Sequence, residues 1–179
     1  MNKIKQKHTI MKKIYVAMLA IIILFTTSNY AQIAKYESGF IYQFTKYIQW
    51  PSDYRSGDFV IGVYGTSDIT KYLNVLASAR KVVSQTIVVK KYNSSSEIGK
   101  CHIVVIANDK SGDLSAVKTA IGGNSTLIVC EKPGMAKEGA HISFVPQGER
   151  VAYEVNESNF KKYNLSVDPQ LVKMAVKSY

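Results

Sequence analysis

The chain contains few of the residues and motifs on which most catalytic and metal sites depend. It has two cysteines and three histidines, and no Walker loop, serine nucleophile elbow or zincin helix. His102 and His141 are the histidines outside the N-terminal segment, and neither has a neighbouring ligand at metal-binding spacing. Both stand at predicted strand starts, which favours a structural role. No pair of acidic residues can be nominated for acid–base catalysis. The sequence therefore predicts no enzyme, no metal site and no cofactor.

Long apolar runs are also missing. Residues 16–25 form the longest one, which is shorter than the roughly 20 residues needed to span a bilayer and suits a signal peptide. Five lysines and no acid precede it. We therefore predict a cleavable signal peptide over residues 1–31, cut after Ala31. Cleavage a few residues earlier, initiation at Met11 and an uncleaved anchor are the alternatives. No cysteine lies near the cut, which argues against a lipoprotein anchor.

Removal of this leader changes the charge of the chain. The formal net charge falls from +10 to +5, because the five leader lysines are lost. An exported protein with so mild an excess is not expected to bind nucleic acid. Residues 32–179 contain no repeat or low-complexity linker and have the length of one domain. We expect an exported single-domain protein that is at most peripheral to the membrane.

An aromatic helix is predicted to open the domain, over residues 33–49. Its apolar side chains fall within an arc of roughly 140°, as on a helix that faces a core. Tyr42 lies on the opposite, polar side with Lys46. Pro51 disfavours helical geometry at Trp50 and ends the helix. The apolar stripe comprises Ile33, Tyr36, Phe40, Ile41, Phe44, Tyr47 and Ile48.

Short apolar runs then alternate with helical segments. This order predicts an α/β fold, a Rossmann-like three-layer sandwich with a mostly parallel sheet, flanking helices and a C-terminal antiparallel hairpin. The predicted strands are residues 59–65, 86–89, 102–107 and 126–129, with a hairpin of 141–145 and 151–155. The predicted helices are residues 69–79, 114–121 and 169–179.

The first strand–turn–helix contains a partial glycine motif, Gly62 and Gly65, followed by Asp68. A dinucleotide site needs a third glycine, and an acidic residue at the helix start would repel phosphate. A tight turn with a helix cap at Ser67 or Asp68 is the favoured interpretation.

The two cysteines are predicted to be unpaired with each other, although export exposes them to an oxidising compartment. Cys101 precedes the third strand and Cys130 ends the fourth. If those strands are parallel neighbours, the two residues lie at opposite ends of the sheet, roughly 15 Å apart. A disulfide requires Cα atoms less than about 7 Å apart.

Several segments in order resemble the YfiR-type family of exported bacterial proteins. The most specific is the aromatic helix ending in Trp-Pro, residues 40–51, and the resemblance covers nearly all of the chain after the leader. The other matching segments are residues 59–65, 101–106, 142–145, 153–156 and 165–175. The chain departs from the family pattern at Ser84-Gln85, Ala140 and Ser143, and it lacks a second close cysteine pair.

The resemblance implies a non-enzymatic periplasmic regulator in c-di-GMP signalling. It further implies that the partner is a membrane signalling protein, a diguanylate cyclase or a sensor kinase, bound through its periplasmic part. It also implies that the protein forms a homodimer. The predicted partner contacts are Tyr42, Lys46 and Trp50, since exposed aromatic and cationic side chains mark interfaces. The alternative for Trp50 is a packed helix stop, and the alternative for Tyr42 is an ordinary surface residue.

A second hypothesis is a periplasmic small-ligand sensor. Open α/β sheets bind ligands at the carboxyl ends of their parallel strands. The loops after Tyr64, Ala107 and Val129 would line that site.

Overall fold

A parallel sheet forms the centre of the fold, because its central strands are short apolar runs that are buried on both faces. The computed structural model describes residues 32–148 and 150–179; the predicted signal peptide, residues 1–31, lies outside them. The parallel strands of the sheet are β2 (Phe59–Tyr64), β4 (Gln85–Tyr92), β5 (Ile103–Ile106), β6 (Leu127–Cys130) and β7 (Ile142–Gln147). They stand in the order β4-β2-β5-β6-β7.

Shorter strands extend this sheet at both edges. β8 (Arg150–Val155) pairs antiparallel with β7, and β10 (Lys177–Ser178) adds parallel to β8. At the other edge, β3 (Lys81–Val82) pairs antiparallel with β4. A separate two-stranded sheet joins β1 (Ile48–Gln49) to β9 (Ser166–Val167). The predicted α/β class, with a mostly parallel sheet and an antiparallel hairpin, is confirmed.

Helices flank the sheet. They are α1 (residues 32–47), α2 (Ile69–Ala79), α3 (Leu114–Ile121), α4 (Glu157–Lys162) and α5 (Pro169–Lys173). α1 packs through aromatic rings: Phe44 stacks on Phe144 of β7, with centroids 6.2 Å apart, and meets the ring of Tyr153 edge-on at 5.1 Å. His141, which by strand alternation points away from that face, packs against Phe160 of α4.

The end of α1 differs from the prediction. The helix stops at residue 47, and Ile48 and Gln49 form β1 instead of a last helical turn. The backbone N–H of Asp168 donates to the carbonyl of Tyr47 at 2.8 Å as β9 begins to pair. Pro51 had already disfavoured the helix here, and the distant β9 supplies the partner that makes a strand favourable.

The C-terminus also differs. The predicted helix of residues 169–179 ends at Lys173, although it starts as expected with Asp168 accepting a bond from the N–H of Gln170 at 2.8 Å. The chain then forms β10, and the N–H of Val176 donates to the carbonyl of Tyr153 at 2.9 Å. The free edge of β8 therefore outweighs the helical spacing of the last apolar residues. Val176 is half exposed.

Candidate interaction groove

A groove of about 520 Å³ lies beside the C-terminal half of α1, and all three predicted contact residues, Tyr42, Lys46 and Trp50, line it. The hairpin of β3 and β4 forms another part of its wall. Phe59 and His102, at the amino-terminal ends of β2 and β5, also contribute. The groove therefore lies at the amino-terminal ends of the parallel strands. α/β folds usually bind ligands at the opposite, carboxyl ends.

Tyr42 links α1 to the edge strand. Its side chain is half-buried and packs against the hydrophobic core. The hydroxyl donates to the backbone carbonyl of Lys81 in β3, at 3.2 Å. The ammonium of Lys46, one helical turn later, lies 5.5 Å from the centre of the Tyr42 ring. Lys46 itself is exposed, so the pair presents an aromatic face and a cation side by side.

Trp50 belongs mainly to the core. It is 6% exposed, and its ring meets Phe59 edge-on with centroids 5.1 Å apart. The indole Nε1 donates to the carbonyl of His102 at 3.1 Å. Trp50 thus lies at the base of the groove, with little surface left for a partner.

Both ring nitrogens of His102 form hydrogen bonds. Nδ1 accepts the backbone N–H of Val60 at 3.1 Å, which leaves the proton on Nε2, 2.8 Å from the carbonyl of Tyr54. Burial lowers the pKa of His102 below its usual value. The imidazole is therefore a neutral element that joins β2, β5 and the 3₁₀ turn Ser52–Tyr54.

The charges around the groove have one sign. Lys46, Arg55 and Lys81 line it and are exposed, and no acidic residue is among the described residues of its wall. Over residues 32–148 and 150–179, the one salt bridge joins Lys100 to Asp53 and involves none of the three. Arg55 is held by a bond of 3.0 Å from its Nε to the carbonyl of Trp50. The described wall of the groove therefore carries a net positive charge.

Arg55 and Lys81 were not predicted as site residues. Arg55 follows a short 3₁₀ turn, and Lys81 lies in a two-residue strand outside the predicted strand of residues 86–89. Neither position has a local pattern that marks it, because only the folded chain brings them to Tyr42.

The loops of the hypothetical small-ligand site are tied together by their own side chains. They meet where the strand order reverses, between β2 and β5. The carboxylate of Asp109 accepts the N–H of Thr66 at 3.1 Å, and Glu131 accepts both the hydroxyl of Ser67 and the N–H of Asn108. Protein groups therefore fill hydrogen-bonding positions that a ligand would use.

A buried glutamate of α1, Glu37, interacts with Glu131 of this loop site. Burial, and secondarily the charge of Glu131, raises the pKa of Glu37 to about 8. Burial also raises the pKa of Glu131. Glu37 therefore keeps its proton at neutral pH and offers a ligand no negative charge. Over the described residues, no group of three His, Cys, Asp or Glu side chains could hold a metal ion.

A second, more apolar groove of about 680 Å³ lies between α1, β8 and the C-terminal segment. Phe40, Tyr153, Met174 and Val176 contribute to its walls. The sequence did not indicate it, because residues 174–179 were expected to continue a helix.

The cysteines lie as the predicted strand order requires. β5 and β6 are parallel neighbours, with Ile103 opposite Leu127 and Ile106 opposite Cys130. Cys101 thus lies before the start of one strand and Cys130 at the end of the other. Burial raises the pKa of each thiol to about 12.

Comparison with known proteins identifies a family and a fold. A family model described as YfiR/HmsC-like matches residues 34–176, whereas no curated protein matches the sequence. Among solved structures, the chain is similar to a conserved domain protein from Vibrio cholerae O1 biovar El Tor, at 9% identity and a TM-score of 0.54. That match covers 82% of this chain and 60% of the other.

A further match is the ABC domain in complex with L-Trp from Streptococcus pneumonia, at 12% identity and a TM-score of 0.49, covering 67% of this chain and 55% of that one. The chain therefore spans less than two thirds of either structure. None of the described helices is both long and apolar enough to cross a membrane.

Proposed function

This chain belongs to the YfiR/HmsC-like family, whose model matches residues 34–176, and we propose that it is a non-enzymatic periplasmic regulator of c-di-GMP signalling. It binds the periplasmic part of a membrane signalling protein, a diguanylate cyclase or a sensor kinase, and restrains its output. YfiR-type proteins are periplasmic regulators, which supports both the location and the role.

The observation that carries this proposal is the groove beside α1. It combines the exposed ammonium of Lys46, the half-buried ring of Tyr42 and two further cations without an acidic neighbour in the described wall. Unpaired charge beside aromatic surface is typical of an interface that a partner completes. Trp50 contributes by supporting the groove from below rather than by contact.

Export can be tested directly. Residues 1–31 are proposed to be removed, so that the protein begins at Gln32 and residues 32–179 form the functional domain. N-terminal sequencing of protein released from the periplasm should read from this position or a few residues before it. Recovery of uncut protein in the membrane fraction would contradict this part of the proposal.

Regulation is tested by deleting the gene and measuring cellular c-di-GMP. Loss of a repressor should raise the c-di-GMP content, and the wild-type gene should restore it. Lys46→Glu should fail to restore it, whereas Lys71→Glu should succeed, because Lys71 is an exposed lysine on α2 outside the groove wall. Unchanged c-di-GMP on deletion would contradict the regulatory role itself.

A further inference from the structure

The groove has a chemistry that identifies the kind of segment it can receive. Resting on the regulatory role above, we propose that it binds an acidic segment of the partner, whose carboxylates meet Lys46, Arg55 and Lys81 and whose apolar side chain packs on Val83. The occupant is thus a stretch of protein with at least two acidic residues flanking an apolar one.

Charge complementarity gives the first argument. The three cations come from three different parts of the chain: α1, the segment after Pro51, and β3. All three are exposed. A small anion would gain little from any one exposed charge, because water and salt screen such pairs. A segment that carries several carboxylates can engage the three together and add their contributions.

Val83 gives the second argument. It lines the groove and is 97% exposed, which is unusual for a large apolar side chain that borders a pocket. Its backbone φ is 55°, a left-handed conformation that β-branched residues rarely adopt. Glycine would form this hairpin turn more easily. The backbone of Val83 is thus strained in the isolated domain, and its exposed side chain is apolar surface that a partner can cover.

The apolar wall next to Val83 extends the contact. Val82 and Ile48 are both buried and both belong to the groove lining. An apolar side chain of the partner can therefore lie between Val83 and the aromatic face of Tyr42, with charged neighbours reaching the cations. Such an arrangement, an apolar anchor surrounded by charge pairs, is common in tight interfaces.

The test uses three fluorescein-labelled decapeptides of alternating Val with Glu, with Lys or with Asn, and measures fluorescence anisotropy. We expect the Glu peptide to bind the wild-type protein most tightly and to weaken as salt is added. Lys46→Glu and Lys81→Glu should each weaken binding on the order of tenfold. Lys71→Glu is the matched control and should leave binding nearly unchanged.

Val83→Gly separates contact from stability. The substitution relieves the left-handed backbone strain, so the melting temperature should stay unchanged or rise. Binding of the Glu peptide should nevertheless become weaker, because the apolar contact is lost. Three results would each overturn the assignment. They are equal binding of all three peptides, a loss of Glu-peptide binding in Lys71→Glu as large as in the groove variants, and full competition by inorganic phosphate. If these results occur while deletion still raises c-di-GMP, the regulatory role stands and this docking site is wrong.

Discussion

The indole of Trp50 donates a hydrogen bond to the backbone carbonyl of His102, across 3.1 Å in the buried base of the groove. The bond joins the residue after β1 to the residue before β5. His102 in turn bonds Val60 and Tyr54. Trp50 therefore fixes the end of the aromatic helix to the amino-terminal edge of the main sheet.

Trp50→Phe should destabilise the fold without abolishing partner binding. The variant keeps an aromatic ring against Phe59 but removes one of the two donors to the carbonyl of His102, which still accepts the N–H of Leu127 at 2.9 Å, so the loss should be about 0.5–1.5 kcal/mol. Urea unfolding should show this loss. Normal stability with lost binding of the acidic peptide would instead identify Trp50 as a direct contact.

Gly62 should not tolerate a methyl group. A Cβ at this position would lie 2.4 Å from Cε2 of the Tyr92 ring on the neighbouring strand β4. Gly62→Ala should therefore cost about 1–3 kcal/mol of unfolding free energy, as overpacked cores do. Gly99→Ala is the matched control, because a Cβ there has no atom within 4 Å.

A double variant tests the cause. Tyr92→Val shortens the opposing side chain, so Gly62→Ala should cost less in that background than in the wild type. Equal cost in both backgrounds would show that the ring of Tyr92 is not what excludes the methyl group.

Local signals predicted some elements and could not predict others. α2 and α3 match their predicted bounds because strong local signals mark one end of each. The hydroxyl of Ser67 accepts the N–H of Ile69 at 3.1 Å where α2 begins, and Gly122 adopts a positive φ where α3 ends. The two-residue strands β1, β3, β9 and β10 were not predicted. β1 pairs with β9 and β10 pairs with β8, partners that lie outside any local window. β3 pairs with β4 across the turn Val83-Ser84, which contains no glycine to mark a hairpin.

The groove residues likewise divide into those that the sequence predicted and those that it could not. Tyr42 and Lys46 were nominated from their place on the polar side of a predicted helix. Lys81 becomes their neighbour through the hairpin of β3 and β4, and Arg55 through a 3₁₀ turn. Helical periodicity identifies a face but not what lies opposite to it.

His141 should make the protein sensitive to acid. Its Nδ1 accepts the N–H of Ile128 at 3.0 Å, and burial lowers its pKa to about 3. The unfolded chain gains a proton below its ordinary pKa of 6.5, whereas the folded chain does so only near pH 3. Stability contributed by the neutral ring is thus lost as pH falls through this window, by about 3 kcal/mol at pH 4.

His141→Asn should flatten that dependence. Asparagine retains an acceptor near the position of Nδ1 but does not titrate, so the variant should be less stable at pH 7 and should lose less between pH 6.5 and pH 4. Thermal melting across this range measures both effects. Parallel curves for the two proteins would contradict a buried neutral His141.

Glu37 should act in the opposite direction. Its pKa is raised to about 8 from 4.5, so the folded state holds a proton that the unfolded state releases. Stability therefore falls as pH rises from about 4.5 to 8, by about 4 kcal/mol. Glu37→Gln removes this loss, so its advantage over the wild type should grow with pH. Glu138→Gln, at an exposed position, should show no such growth.

The two cysteines should be unreactive until the protein unfolds. Cys101 and Cys130 are buried, and burial raises the pKa of both thiols to about 12, so almost no thiolate exists at neutral pH. A thiol reagent such as DTNB should label neither in the folded monomer and both in denaturant. The intact mass should not change on reduction, because their places at opposite ends of β5 and β6 prevent a disulfide. Rapid labelling of one thiol in the native protein would show that the sheet opens at that end, whereas a mass increase on reduction would contradict the parallel register itself.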